Sequence, residues 1–167
     1  LRELPPSFVA RDATVVAPAL LGKLIELGTN GALVRITEVE AYTADDPASH
    51  SFRGRSTRNA TMFGPAGHLY VYFIYGVHHC ANVVTGDDGD GQAVLIRSVV
   101  VPGVDPKLTN GPGKLTKLLD IDLRDDGAAI RVFDDGAASP EPPLVTARIG
   151  ITKAADLPRR WVQRTWV

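Results

Sequence analysis

His68-Leu-Tyr-Val-Tyr-Phe-Ile-Tyr75-Gly76-Val-His-His-Cys80-Ala-Asn-Val-Val84 is the stretch whose reading decides the fold. Apolar, β-branched and aromatic residues fill 68–75 and 79–84, and Gly76 stands between them. The pattern predicts two strands joined by a tight turn. Side chains alternate along a strand, so Tyr70 and Tyr72 share one face while Tyr75 falls at the strand end.

Outward from this hairpin the strand pattern continues. Residues 86–91 (GDDGDG) read as a turn and 92–101 (QAVLIRSVVV) as the next strand. Upstream, 23–27 and 32–42 read as a second hairpin across the turn signal Thr29-Asn30-Gly31. Pro5-Pro6 opens an extended lead-in, and 12–22 (DATVVAPALLG) read as a short helix starting near Asp12 or Thr14. Asn110-Gly-Pro-Gly-Lys114 is expected to cap and start a helix running to about Asp120. Residues 129–133 and 144–151 are expected to be further strands. The polar segment 43–67 reads as a long loop with one short helix, and long ordered loops are often functional. No repeat or linker divides the chain, so the expectation is one mixed α/β (α+β) domain over 1–167, its strands mostly antiparallel.

Composition narrows the class. The chain has 167 residues, 44% hydrophobic and 22% charged, enough for one ordinary globular core. No apolar run is long enough to span a bilayer and no signal peptide is visible. The single cysteine, Cys80, cannot form an internal disulfide, which suits a reducing compartment. The first residue is not Met and the chain stops at Val167, so terminal segments are expected to be missing from the sequence. A net charge of −1 argues mildly against nucleic acid as a partner. Charge is unevenly placed, however: Arg53, Arg55 and Arg58 lie in a stretch without acids, which would bind phosphates or form a solvated loop.

Several residues could carry chemistry. Glu38 and Glu40 project to one strand face, where paired carboxylates serve acid/base work, bind a metal, or simply face water. His50, His68, His78 and His79 lack the spacing of a zinc site. Cys80 sits in an apolar run and reads as a buried, inert thiol. Tyr70 and Tyr72 are either a core pair or a stacking surface. An exposed ring at a hairpin tip, as at Tyr75, is unusual unless it inserts into something such as a base stack. Asn82 and Arg97 are polar residues in apolar strands, and each needs a partner if buried.

The words LLGKLI, ITEVEAY, Ser49-His50, TRNATMFGPAGHLYVYFIYG, Asn82, LIR at 95–97 and NGPGKL at 110–115 closely resemble, in order, the alkyladenine (3-methyladenine) DNA glycosylases. That resemblance implies a curved, mostly antiparallel sheet with flanking helices and a protruding, DNA-inserting β-hairpin. It implies a monomer with no cofactor, acting on double-stranded DNA that contains damaged purines, in the bacterial cytoplasm at the nucleoid or in a eukaryotic nucleus. Glu40 matches the general base and Arg97 the arginine that helps hold it. Tyr42, His50 and Tyr72 match the cage around the flipped base, His50 also bonding the purine edge. Asn82 matches the residue that crowds the 2-amino group of guanine, and the Ile149 backbone matches a main-chain contact to the base. Tyr75 matches the intercalating residue, flanked by Val77 and His78, which are less bulky or more polar than a wedge favours. Members of that family carry a longer, Arg-rich stretch where this chain has SVVVPGVDPKLT before Asn110.

The chemistry fits these residue types. Hydrolysis of an N-glycosidic bond passes through a cationic sugar, which a carboxylate can stabilise while taking a proton from water. Alkylation makes the purine cationic, and a neutral aromatic cage attracts it. The expected function is a monofunctional purine glycosylase. The alternatives are a catalytically silent damaged-DNA binding module and a metal-dependent hydrolase using Glu38, Glu40 and His50.

Overall fold

The structure, a computed structural model, describes residues 1–28, 30–139 and 141–163. In chain order its elements are β1 (Arg2–Glu3), α1 (Ala13–Leu20), β2 (Leu24–Leu27), β3 (Ala32–Tyr42), β4 (Leu69–Ile74), β5 (His78–Thr85), β6 (Gln92–Val100), α2 (Pro112–Leu118), β7 (Val132–Asp134), β8 (Leu144–Thr146) and β9 (Arg160–Val162), with four short 3₁₀ turns between them. β3 is the organising strand. One edge pairs with β2 through residues 32–35 and with β9 through residues 38–40, and the other edge pairs with β6. The sheet runs β1-β7-β2-β3-β6-β5-β4 with β8 beyond β9; every pairing is antiparallel and the sheet does not close.

Alternation divides the sheet into two faces. Val39 and Ala41, Val71, Ala81 and Val83, and Val94 and Ile96 point to one side. There they pack with Val16, Ala17 and Leu20 of α1 and Leu115 of α2. Each such fully buried aliphatic side chain contributes roughly 1.5–3 kcal/mol. The residues between them point to the opposite side, where Met62, Tyr70, Val84 and Ala93 form a smaller cluster with Tyr42 and Tyr72. α1 starts where Asp12 accepts a hydrogen bond from the Thr14 amide, and it ends two residues after Pro18.

Both expected hairpins form, and 43–67 is a long loop holding one 3₁₀ turn, Ala60–Phe63. Thr29 of the first turn lies outside the described residues, but the Gly31 amide closes onto the Gly28 carbonyl at 3.0 Å. Four expectations need correction. Asn110 does not cap α2: the N-cap is Gly111, and the Asn110 side chain instead accepts from Lys114 Nζ at 2.8 Å. The helix ends at Leu118 rather than near Asp120, because Asp120 adopts a positive φ of 54°. The strand expected at 144–151 stops at Thr146, and the one expected at 129–133 narrows to Val132–Asp134, with Ala129 bridging His68 alone. β1 and β9, of two and three residues, were not foreseen; strands that short carry no periodic signal.

The β2–β3 turn touches the end of α2 closely. Gly28 has a φ of +76°, and a Cβ there would stand 2.4 Å from the Leu119 carbonyl oxygen. Gly28→Ala should therefore lower stability by about 2–4 kcal/mol, combining left-handed backbone strain with overpacking. Urea unfolding measures this directly, and a loss below about 1 kcal/mol would mean the turn relaxes freely.

Candidate functional site

Strand register builds the site. Tyr70 lies opposite Asn82, Asn82 opposite Leu95, and Leu95 opposite Glu40, making a straight row across β4, β5, β6 and β3 on the face away from the helices. Tyr72 opposite Cys80 forms the neighbouring row. Tyr70, Tyr72, Cys80, Asn82 and Leu95 surround a pocket of about 460 Å³ that is also lined by Tyr42, His50, Tyr75, His78, Arg97 and Ile149. The volume is within the range of small-molecule sites, and aromatic walls with a few polar groups suit a flat ring.

Glu40 lies beneath this pocket and is itself fully buried. The Tyr42 hydroxyl donates to its Oε2 at 2.8 Å, and the Ile149 amide donates to its Oε1 at 2.8 Å. Arg97 Nη1 stands 3.3 Å from the same Oε1. Arg97 is fixed in turn by Glu38, whose Oε1 accepts from Arg97 Nε at 3.0 Å and from Arg160 Nη1 at 2.8 Å. The register of β3 on β6 shifts on either side of Glu38, a bulge that lets Glu38 and Glu40 address one arginine. Glu38, Glu40 and His50 are not gathered for a metal. Both carboxylates face guanidinium groups, His50 bonds Tyr70, and among the described residues no three His, Cys, Asp or Glu side chains are grouped to hold an ion.

The aromatic wall is neutral. His50 Nδ1 lies 3.0 Å from the Tyr70 hydroxyl, and the His50 ring packs edge-on to Tyr72 at a 4.3 Å centroid distance. Burial, followed by the nearby Arg58 charge, holds the His50 pKa below its ordinary value. Burial and then the Asp126 charge push the Tyr70 phenol up to about 12. Tyr42 and Tyr72 are also raised, burial again the largest cause, followed by Glu40 for Tyr42 and by Cys80 for Tyr72. Cys80 is buried on the pocket wall, and burial raises its thiol pKa, so it stays protonated. Asn82 is buried and donates from Nδ2 to the Tyr70 carbonyl at 3.1 Å.

Beside the pocket, the β4–β5 turn projects. The Val77 amide reaches the Ile74 carbonyl at 3.2 Å, and the two residues between, Tyr75 and Gly76, have φ of 54° and 64°. Mirror-image hairpin turns require such a positive pair. In a residue other than glycine this conformation costs about 1–2 kcal/mol. Here it leaves the Tyr75 ring 76% and Val77 74% exposed, two large apolar groups at one tip. His78 is half-buried against Gly113, whose Cα side has no room for a methyl group. Arg53, Arg55 and Arg58 are all exposed, and Arg58 lines a groove shared with His50, Tyr72 and Tyr75.

Most residues singled out in the sequence therefore meet at one place. Tyr42, His50, Tyr72, Tyr75, His78, Asn82, Arg97 and Ile149 line the pocket, while Val77 stands on the far side of the tip over a second groove. One placement differs from expectation. The Ile149 amide, expected to face a bound base, is spent on Glu40. Three contributors were missed: Tyr70 as partner of His50, Glu38 with Arg160 as the clamp on Arg97, and Arg148 behind Tyr42. The buried tyrosine pair and the same-face glutamates were the only signals for the first two.

A neutral aromatic pocket whose Tyr42, Arg97 and Ile149 lining also holds a buried carboxylate is suited to a flat ring. Comparison with known proteins places the chain. The family model for methylpurine-DNA glycosylase matches residues 7–165, and the chain belongs to that family. A protein of Methanoculleus marisnigri is 47% identical over 182 aligned positions, covering 95% of this chain and 93% of the relative. Proteins of Burkholderia lata and Carboxydothermus hydrogenoformans are 45% and 43% identical, covering 95% of this chain and 86% and 93% of their own lengths. All three bear the provisional name 3-methyladenine DNA glycosylase. Each alignment is longer than the 167-residue chain, so these relatives carry residues without a counterpart here.

The charge state of the wall is testable. His50 should titrate below its ordinary value near 6.5, so that it is neutral at pH 7 and gains its proton only on acidification. Arg58→Gln should raise the midpoint without restoring the ordinary value, because burial is the larger cause. Histidine ring NMR across pH 4–8, in wild type and variant, reads both shifts.

Proposed function

We propose that this protein is a monofunctional DNA glycosylase. It flips a damaged purine out of double-stranded DNA and hydrolyses the N-glycosidic bond. The observation that carries this reading is the buried Glu40 carboxylate, held by Arg97, Tyr42 and the Ile149 amide, residues that themselves line the aromatic pocket. A carboxylate offers roughly four lone-pair sites. Hydrogen bonds from Tyr42 and Ile149 take two of them and Arg97 stands at Oε1, so the lone pair left for a water is on Oε2, beside Tyr42. Glu40 takes a proton from that water and stabilises the cationic sugar, a role of general base worth roughly 10²–10⁴-fold. Among the described residues no lysine lines the pocket, which favours water over an amine as nucleophile.

Extrusion costs a few kcal/mol. Stacking of the flipped base between Tyr42, His50 and Tyr72 returns about 1–3 kcal/mol. A cationic alkylpurine gains further from these neutral rings by cation–π attraction, and a protonated His50 would repel it. Tyr75, flanked by Val77 and His78, fills the vacated stack, and Arg53, Arg55 and Arg58 contact phosphates. Asn82, fixed on the Tyr70 carbonyl, disfavours guanine by crowding its 2-amino group. The names of the relatives support 3-methyladenine as the leading substrate; hypoxanthine and ethenoadenine have the same flat shape without a 2-amino group. One observation favours the alternative of a silent lesion-binding module: Glu40 has no exposed surface in this structure. Turnover separates the two.

Glu40→Gln keeps the shape without the basicity. Single-turnover release from duplexes carrying one defined lesion, run in EDTA, should fall at least ~100-fold while gel-shift binding survives. Cleavage near the wild-type rate would remove the assignment, and wild type without turnover would establish the binding module.

Tyr75→Ala should weaken extrusion more than chemistry. A fluorescent base analogue beside the lesion reports the flipping equilibrium, and an unchanged equilibrium in the variant would reject the wedge role.

A further inference from the structure

Arg148 and Asp46 form an ion pair with both side chains fully buried, and no role above uses it. The guanidinium grips the carboxylate with both terminal nitrogens: Nη1 bonds Asp46 Oδ2, and Nη2 bonds Oδ1 at 3.0 Å. Its remaining contacts converge on the groups that hold Glu40. Nη1 also donates to the Ala41 carbonyl at 3.0 Å, the peptide directly before Tyr42. The plane lies over the Tyr42 ring, 4.7 Å from its centroid. Arg148 is the chain neighbour of Ile149, and Nη2 reaches the Ala154 carbonyl at 3.3 Å across the same loop. Tyr42 and Ile149 supply the two hydrogen bonds that hold Glu40. At its other end Asp46 accepts from the Ala48 amide at 3.0 Å and has Arg159 at 3.7 Å, which fixes the chain leading to His50.

We propose that the Arg148–Asp46 pair is a positioning unit for the Glu40 carboxylate, setting Tyr42 and the Ile149 amide in place while tying them to the segment that carries His50. The proposal rests on the reading of Glu40 as the base. A pair that served only to hold the loop would not need its cation over the ring of a Glu40 donor. Nor would it need its own chain neighbour to be the second donor. Neither residue touches the pocket, so the unit acts through Tyr42 and Ile149 and leaves the ligand's own contacts alone.

Two variants test it. Arg148→Lys keeps the charge but loses the planar fork and the stacking surface. The double variant Asp46→Asn with Arg148→Gln replaces the ion pair by neutral hydrogen-bonding groups, leaving no unpaired buried charge. Wild type, Glu40→Gln and both variants are assayed together for single-turnover base release, lesion-duplex Kd and thermal unfolding. The expected result is a release rate lowered ~10- to 100-fold, the scale of a small misplacement at a reacting centre. Kd should stay within about threefold of wild type, with cooperative unfolding retained, so that the loss lies in the chemical step. Folded variants with wild-type rates overturn the proposal, as do parallel losses of rate and affinity. Loss of cooperative unfolding in both variants assigns the pair to the fold alone and overturns it too. If wild type itself releases no base, the function proposed above fails instead.

Discussion

A carboxylate with no exposed surface persists only if polar partners replace the bulk water it has lost. Glu40 has two hydrogen-bond donors and one ion-pair partner, each from a different piece of chain: Tyr42 from its own strand, the Ile149 amide from the loop after β8, and the Arg97 guanidinium from β6. The rest of the molecule is arranged to make those three coincide. β9 pairs with β3 opposite Glu38–Glu40 and delivers Arg160 to Glu38, which then fixes Arg97. Removing one partner of such a buried set costs about 3–5 kcal/mol, because the charge left behind has no solvent to turn to.

The division of the sheet into a helix-covered face and a pocket face follows from strand alternation, and it separates the larger core under the helices from the site, while the smaller cluster of Met62 and Tyr70 belongs to both. Val39, Ala41, Ala81, Val83, Val94 and Ile96 stabilise the fold, while Glu40, Tyr42, Cys80, Asn82, Leu95 and Arg97, interleaved with them, form the site. The bulge around Glu38 is the one departure from that regularity in β3, and it stands where two carboxylates converge on one guanidinium.

The parts legible in the sequence were those with local signatures. The two hairpins, the shared face of Glu38 and Glu40, and Tyr75 beside a turn glycine all follow from short-range spacing. The parts that escaped depend on distant chain. β9 is three residues long and exists because β3 and β8 flank it. Ile149 was singled out by family likeness, yet its amide bonds a carboxylate 109 positions away, a pairing no local pattern encodes. Asn110 has the chemistry of a cap, but Lys114 competes for its oxygen and Gly111 takes the cap position. Arg148, inside the segment expected as a strand, and Asp46, in the polar loop, carried no local sign of their pairing because burial is a tertiary property.

The row Tyr70–Asn82–Leu95–Glu40 has a consequence for how such a chain can change length. A single residue gained or lost within β4, β5 or β6 would exchange the faces of everything beyond it, sending Val83 into the pocket and Asn82 into the core. Turns carry no such parity. Extra residues are therefore accommodated more cheaply in a connection such as 101–109 than within these strands, unless a bulge like that at Glu38 absorbs them. The strands act as a ruler that fixes spacing modulo two, and length is freest to vary in the connections that the ruler does not measure.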